Sequence, residues 1–299
     1  MMLSRLPIGF VGLGVMGRHM AAHLSNAAGQ VLGYDVDPSV WEKTDSSIQR
    51  AEHMQALGEQ CPIIFLSLPG PAQVIAAIDT LGSCVRAGSI IADTSTIDPD
   101  TANHVFEQLL TRDIAYVQSP VIGGQKGASE GSLTIIAGGQ PATVEVVRPY
   151  LTALGKEIHV VDTPSEAAVL KLLNNYMSLG NTVILAEALA LGGKAGVSPE
   201  TIYRVLRTGS GFSAAFERRW HANIKSGNYA PGFAIDLAVK DLTLIIEYGA
   251  ALGLPLFAGS LTTQVFRNLQ LLGWGNKDVA AIAAWWEEAA HISLKETSS

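Results

Sequence analysis

The apolar run Ile8–Val11 passes directly into GLGVMG, with glycines at 12, 14 and 17, and an apolar pattern of helical period follows over Met16–Ala27. A strand, G-x-G-x-x-G and a helix in immediate succession make the turn on which a parallel α/β sheet holds a dinucleotide. Gly12 permits the tight turn, Gly14 lets the backbone approach a pyrophosphate, and Gly17 lets helix pack on strand. The helix N-terminus offers unsatisfied N–H groups and the positive end of a dipole to phosphates. Leu13, Val15 and Met16 complete this candidate cofactor loop.

Short apolar runs then recur at Val31–Tyr34, Ile63–Leu68, Ser89–Ala92, Ile114–Val117, Leu133–Ala137 and Ile158–Val161, with helical patterns between several of them. Strands covered on both faces read as continuous apolar runs. The alternation predicts a Rossmann-type doubly wound α/β domain over residues 1–163. Beyond Pro164 strand-like runs largely stop. Residues 164–193 read as one long interdomain helix, apolar on nearly every side and therefore expected to be buried all round, as a spine between two domains or two subunits. Further helical patterns run to the end, giving an all-helical domain over 164–299 for substrate binding and dimerisation.

Composition removes several classes of function. The chain is 48% hydrophobic with a net charge of −7 and no Lys/Arg cluster, which argues against disorder and against a nucleic-acid surface. Cys61 and Cys84 are not spaced as metal ligands, and read as buried thiols. The seven histidines show no metal spacing either; His19 and His23, an i,i+4 pair, read as surface or packing residues. The first apolar run begins too early for a signal peptide. The longest one, 182–193, is interrupted by Glu187 and is too short for a membrane span. A cytoplasmic protein is expected.

Asp35 ends the second strand, eighteen residues after Gly17. A carboxylate there accepts from adenosine ribose hydroxyls and repels a 2′-phosphate. No arginine follows through position 40, so NAD is favoured, with NADP possible; Asp37 competes for the role or serves a turn. Leu68 and Pro69, and Thr96, follow strand ends on the edge where ligands collect. They are candidate cofactor neighbours, although Pro69–Gly70–Pro71 also suits a plain loop and the Thr94–Ser95–Thr96 cluster also suits a cap on the next helix. The stretch SPVIGGQKGASEGS, 119–132, reads either as a flexible turn or as a surface for a small molecule.

Lys171 and Asn175 lie on one face of the long apolar helix, one turn apart. A lysine in such a segment is costly unless paired or used, and desolvation lowers its pKa toward that of a general base. Asn175 is placed to hold a substrate hydroxyl or to orient the lysine; Asn174 points about 100° away. The plainer reading is a lysine snorkelling to the helix end. Lys240 by itself reads as a surface residue. Phe212, Ser213 and Phe233 follow glycine- or proline-rich turns, and suit either a pocket wall or the core.

Taken in order, IGFVGLGVMG, LSLP, DTSTIDP, PVIGGQKGASEGSLTIIAGG, KLLNN and PGFAIDLAVKDL resemble the β-hydroxyacid dehydrogenases, the family of 3-hydroxyisobutyrate and tartronate-semialdehyde dehydrogenases, with 6-phosphogluconate dehydrogenase a larger relative. The resemblance covers nearly the whole chain. It implies that the glycine loop and Asp35 hold the cofactor with Thr96 on its nicotinamide side. It implies Lys171 as acid/base beside Asn175, and Lys240 reaching toward the cofactor. It places the substrate carboxylate on Val121, Ile122, Gly123 and Gly124, and it implies a homodimer or homotetramer. Two departures stand out. Ile122 occupies the place of a family serine, and Ser165–Glu166–Ala167 replaces a G-x-G, with Ser165 suited to a helix cap.

The expected function is hydride transfer between a nicotinamide cofactor and a small 3-hydroxy acid or its semialdehyde. Ile122 motivates one alternative, a reductase of a carboxylate-free carbonyl or imine. A dinucleotide-binding module without catalysis is the alternative of another class.

Overall fold

A computed structural model describes residues 7–295. Contacts divide the chain into two compact units, Met1–Leu172 and Leu173–Ser299.

The first unit alternates strands and helices. Its elements run β1 (Ile8–Val11), α1 (Gly17–Ala28), β2 (Val31–Tyr34), β3 (Ile48–Arg50), α2 (Gln55–Gln60) and β4 (Ile63–Leu66). Then follow α3 (Pro71–Gly82), β5 (Ile90–Asp93), α4 (Pro99–Leu110), β6 (Ala115–Gln118), β7 (Val121–Ile122), α5 (Gly124–Glu130), β8 (Leu133–Gly139), α6 (Pro141–Leu154) and β9 (Gly155–Val161). The strands form one sheet in the order β3-β2-β1-β4-β5-β6-β8-β7, with β9 beside β8. The six strands from β3 to β6 are parallel, the strand order of a doubly wound dinucleotide fold. The expected α/β class is the one observed.

Two apolar layers hold the sheet, one on each face. Phe10, Leu13, Met20, Leu24, Phe65 and Leu133 lie in one. Val11, Leu57, Ile64, Leu66, Ile78 and Ile91 lie in the other. Neighbouring strand residues thus point to opposite layers, the period of two that a pleated strand imposes. Each fully buried side chain of this size contributes roughly 1.5–3 kcal/mol.

The parallel expectation fails in one region. β8 runs antiparallel to both β6 and β7. The stretch 119–132 is neither a flexible turn nor unstructured, since it folds as β7 followed by α5. A two-residue strand and a helix with little apolar period leave no pattern to read. Gly127 and Ala128 are buried against the layer around Phe10, and His23 on α1 meets the Ser129 carbonyl at 3.1 Å. Gly131 ends α5 in the left-handed conformation at φ 61°.

The second unit is helical. Helix α7 (Pro164–Lys194) enters it, followed by α8 (Pro199–Leu206), α9 (Ala214–Arg219), a π-helical turn, α10 (Ile235–Ala251), α11 (Phe257–Leu271) and α12 (Ile282–Ala290). Its core gathers Leu179, Leu189, Phe216, Trp220, Leu242, Phe266 and Ile282. The start of α7 is capped by Thr163, whose Oγ1 accepts from Glu166 N at 3.2 Å, while Asp162 N donates to Glu166 Oε2 at 3.0 Å. Ser165 is therefore not the cap.

Helix α7 is not buried all round. Leu170, Leu173, Met177, Ile184 and Leu191 are 42–75% exposed. An apolar face reads as buried in the sequence whether or not this chain supplies its cover. Among the described residues no helix is long and apolar enough to cross a membrane, and no cluster of His, Cys, Asp or Glu is arranged to hold a metal ion. Cys61 is buried, and that burial pushes its thiol up to about 12.

Candidate active site

The glycine loop leaves β1 at Gly12, whose φ is +92°. A Cβ at Gly12 would strike the Ser67 carbonyl, and one at Gly17 the Gly12 carbonyl. These two positions are closed by the chain's own backbone. Gly14 is the opposite case. Nothing lies within 4 Å of where its Cβ would stand, so the backbone there is open to a ligand. Leu13 turns its side chain into the core, 0% exposed, whereas Val15 is exposed.

At the end of β2 the Asp35 carboxylate accepts from Leu13 N at 2.7 Å and from Asp37 N at 2.8 Å. It thus ties the glycine loop to the neighbouring strand end. A carboxylate offers about four lone-pair sites, which leaves acceptor capacity for a ribose. Asp37 serves a turn. Its Oδ1 accepts from Ser39 N at 2.8 Å, and that bond holds its carboxyl below the usual range.

The turns after β4 and β5 are bound together. Thr94 Oγ1 donates to the Leu66 carbonyl at 2.6 Å, and Ser95 Oγ accepts from Leu68 N at 2.9 Å. The cap of α4 is Asp98, which accepts from Thr101 N at 2.8 Å. The Thr/Ser cluster therefore does not cap that helix. Leu68 and Thr96 are half-buried and Pro69 is exposed at these strand ends.

Lys171 is only 8% exposed, and its Nζ donates to the Val121 carbonyl at 2.8 Å. It does not snorkel to the helix end. The bond fixes the amine to the segment that continues through half-buried Ile122 into Gly123 and Gly124, with φ of +134° and +65°. A Cβ at Gly124 would meet nothing.

In the second unit Asn175 is 7% exposed, and its Nδ2 donates to Asp241 Oδ2 at 2.6 Å. Asp241 Oδ1 pairs with Lys240 Nζ at 2.6 Å. One buried carboxylate on α10 thus joins Asn175 to Lys240. Asn174 Nδ2 donates to Asn175 Oδ1 at 3.0 Å and so helps orient that amide. Sequence reasoning passed over Asp241, and the signal available was an acidic residue beside Lys240 on an apolar helix. Ser213 caps α9 by accepting from Phe216 N, Phe212 is exposed, and Phe233 packs partly against the helical core.

A doubly wound sheet, a glycine turn open at Gly14 and a buried lysine on the helix that follows the last strand define a dinucleotide-dependent oxidoreductase. Comparison with known proteins names the family. Residues 7–162 match the NAD-binding domain of 6-phosphogluconate dehydrogenase, and residues 165–286 match the NAD-binding region of NADP-dependent 3-hydroxyisobutyrate dehydrogenase. The 2-(hydroxymethyl)glutarate dehydrogenase of Eubacterium barkeri is 37% identical, over 98% of this chain and 99% of the relative. The 2-hydroxy-3-oxopropionate reductase of Escherichia coli is 30% identical, over 97% and 100%. A crystal structure of 3-hydroxyisobutyrate dehydrogenase from Salmonella typhimurium superposes with a TM-score of 0.82 at 26% identity, covering 94% of this chain and 99% of that one. The chain belongs to the 3-hydroxyisobutyrate dehydrogenase-like family of hydroxy acid dehydrogenases, and is an NAD(P)-dependent 3-hydroxyacid dehydrogenase.

Proposed function

We propose that the enzyme oxidises the 3-hydroxyl of a small hydroxy acid, or reduces the matching semialdehyde, with Lys171 as acid/base and NAD as the favoured cofactor. The observation that carries this reading is the buried Lys171 amine held on the Val121 carbonyl. Gly12, Gly14 and Gly17 with Leu13, Val15, Met16 and Asp35 would hold the adenine side of the cofactor. Leu68, Pro69 and Thr96 would meet its nicotinamide side, and Lys240 would add a positive charge. When bound, the nicotinamide supplies the acceptor for the C–H electron pair. The neutral Lys171 Nζ takes the hydroxyl proton during oxidation and returns it to the carbonyl oxygen during reduction. Asn175, oriented by Asp241, holds the hydroxyl oxygen. The backbone of Gly123 and Gly124 seats the carboxylate, since bare N–H groups in left-handed conformations bind anions.

NAD is favoured because Asp35 places a carboxylate where NADP carries its 2′-phosphate. The sequence likeness makes 2-(hydroxymethyl)glutarate the first compound to try. The decisive experiment is an NAD(P)-linked screen of it with 3-hydroxyisobutyrate, 2-hydroxy-3-oxopropionate and L-threonate. No turnover on any of them, with cofactor bound, would favour a non-catalytic module.

Ile122 puts a branched apolar wall beside the proposed carboxylate seat. An Ile122→Ser variant is expected to change the ratio of kcat/KM between the best substrate and its nearest competitor by about 10-fold or more, the scale of one pocket contact. An unchanged profile means that Ile122 faces away from the substrate.

We also infer a homodimer. Leu170, Met177, Ile184 and Leu191 recur every seven residues on the exposed face of α7, the spacing of a helix–helix seam. Ile184→Glu should reduce the mass in light scattering from at least twice 31.6 kDa to that of one chain. A wild-type protein already monomeric removes this inference.

A further inference from the structure

β6 carries two polar side chains, Tyr116 and Gln118, on the same face of a strand whose burial leaves them 1% and 0% exposed. Nothing in the glycine loop, the substrate segment or the lysine site accounts for them. Their contacts all lead to one place. Tyr116 Oη donates to Gln118 Oε1 at 2.5 Å, and Asp93 Oδ2 lies 3.2 Å from the same hydroxyl. Burial, then the charge of Asp93, pushes the Tyr116 phenol far up, so that it remains a neutral donor. With its Oε1 taken by that donor, Gln118 is held with Nε2 toward the Ser95 carbonyl, to which it donates at 2.9 Å.

Ser95 is the point of convergence. Its N–H donates to Asp93 Oδ1 at 2.8 Å, its carbonyl accepts from Gln118, and its Oγ accepts from Leu68 N. Three strand ends, those of β4, β5 and β6, are therefore locked together through one residue that is 3% exposed. The two turns so fixed are the ones that carry Leu68–Pro69 and Thr96. Such a network in a low-dielectric interior is stiff when every member is satisfied and fails as a unit when one is removed.

We propose that Gln118, set by Tyr116, is a positioning residue that holds the Leu68 and Thr96 turns at the spacing the nicotinamide half of the cofactor requires. This rests on the assignment of those turns to the nicotinamide side. Gln118 is too deeply buried to touch the cofactor, so its influence passes through Ser95.

The test compares two ligands on the full-length protein. ADP-ribose reports the adenine half, and NADH reports both halves. In Gln118→Leu the Kd for ADP-ribose stays near the wild-type value while that for NADH rises about 10-fold, the scale of one lost buried hydrogen bond. The emission of bound NADH moves toward that of the free cofactor. Tyr116→Phe keeps the ring volume and shifts the same ratio less, which keeps the proposal testable should Gln118→Leu fail to fold. Equal weakening of both ligands in a folded variant overturns the proposal, as does an unchanged ratio in both variants. A wild-type protein that binds NADH yet turns over no hydroxy acid sinks the proposed reaction and leaves the ratio test intact.

Discussion

Lys171→Ala lowers kcat by about 10²–10⁴-fold, the usual worth of a positioned acid/base, and leaves NADH binding nearly unchanged. The reasoning starts from the cost of putting an amine at 8% exposure inside an apolar helix. The Val121 carbonyl accepts a hydrogen bond from this amine. Removing the side chain leaves that carbonyl short of a donor, a cost of about 1–3 kcal/mol. The gain in helix propensity and the loss of a buried amine work the other way. Stability should therefore change little while turnover collapses. Lys171→Arg separates the two roles that a lysine can play. A guanidinium keeps the charge and can still donate to Val121, but it does not give up a proton near neutral pH. It should be as inactive as the alanine variant. Steady-state turnover beside NADH titration measures both halves of the claim. Substantial activity in Lys171→Arg would falsify the acid/base role and leave only a structural or electrostatic one.

What could be read in the sequence divides by the kind of physics involved. The glycine loop was legible because its geometry excludes other residues. A Cβ at Gly12 or Gly17 collides with backbone, so those glycines are written into the chain. Lys171 was legible because a charge stands out in an apolar helix. The doubly wound sheet was legible from apolar runs covered on both faces. Asp241 and Gln118 were not. Each acts on a partner far away in sequence, Asp241 on Asn175 at a separation of 66 residues and Gln118 on Ser95 at 23. No local pattern marks such pairs. β7 and α5 were missed because two residues make no period and a glycine-rich helix has little apolar face. The face of α7 was legible only as a spine between two domains or two subunits, for a different reason. Apolar residues state that they are to be covered, but not by which chain.

Asp278→Ala should cost about 3–5 kcal/mol, the penalty for leaving a buried charge without its partner, and lower the Tm by roughly 10 °C. Asp278 is 1% exposed and accepts from four donors. They are Gly232 N at 3.1 Å, Phe233 N at 2.8 Å, Ala280 N at 2.9 Å and Arg219 Nη1 at 3.3 Å. The carboxylate thus pins the segment before α10, the helix that carries Lys240 and Asp241, to the turn before α12. Arg219 is itself 6% exposed, and its Nε has no partner among the described residues. Burial lowers its pKa, and the Asp278 charge is what opposes that shift. The two halves of the pair are therefore not equivalent. Arg219→Met removes a poorly satisfied cation and leaves Asp278 with three backbone donors, so it should cost clearly less than Asp278→Ala. Thermal unfolding ranks the two variants. Hydrogen exchange at the amides of Gly232, Phe233 and Ala280 locates the damage, with protection falling in Asp278→Ala and largely kept in Arg219→Met. Equal losses in both variants would mean that the ion pair, rather than the carboxylate's grip on the backbone, holds this segment in place.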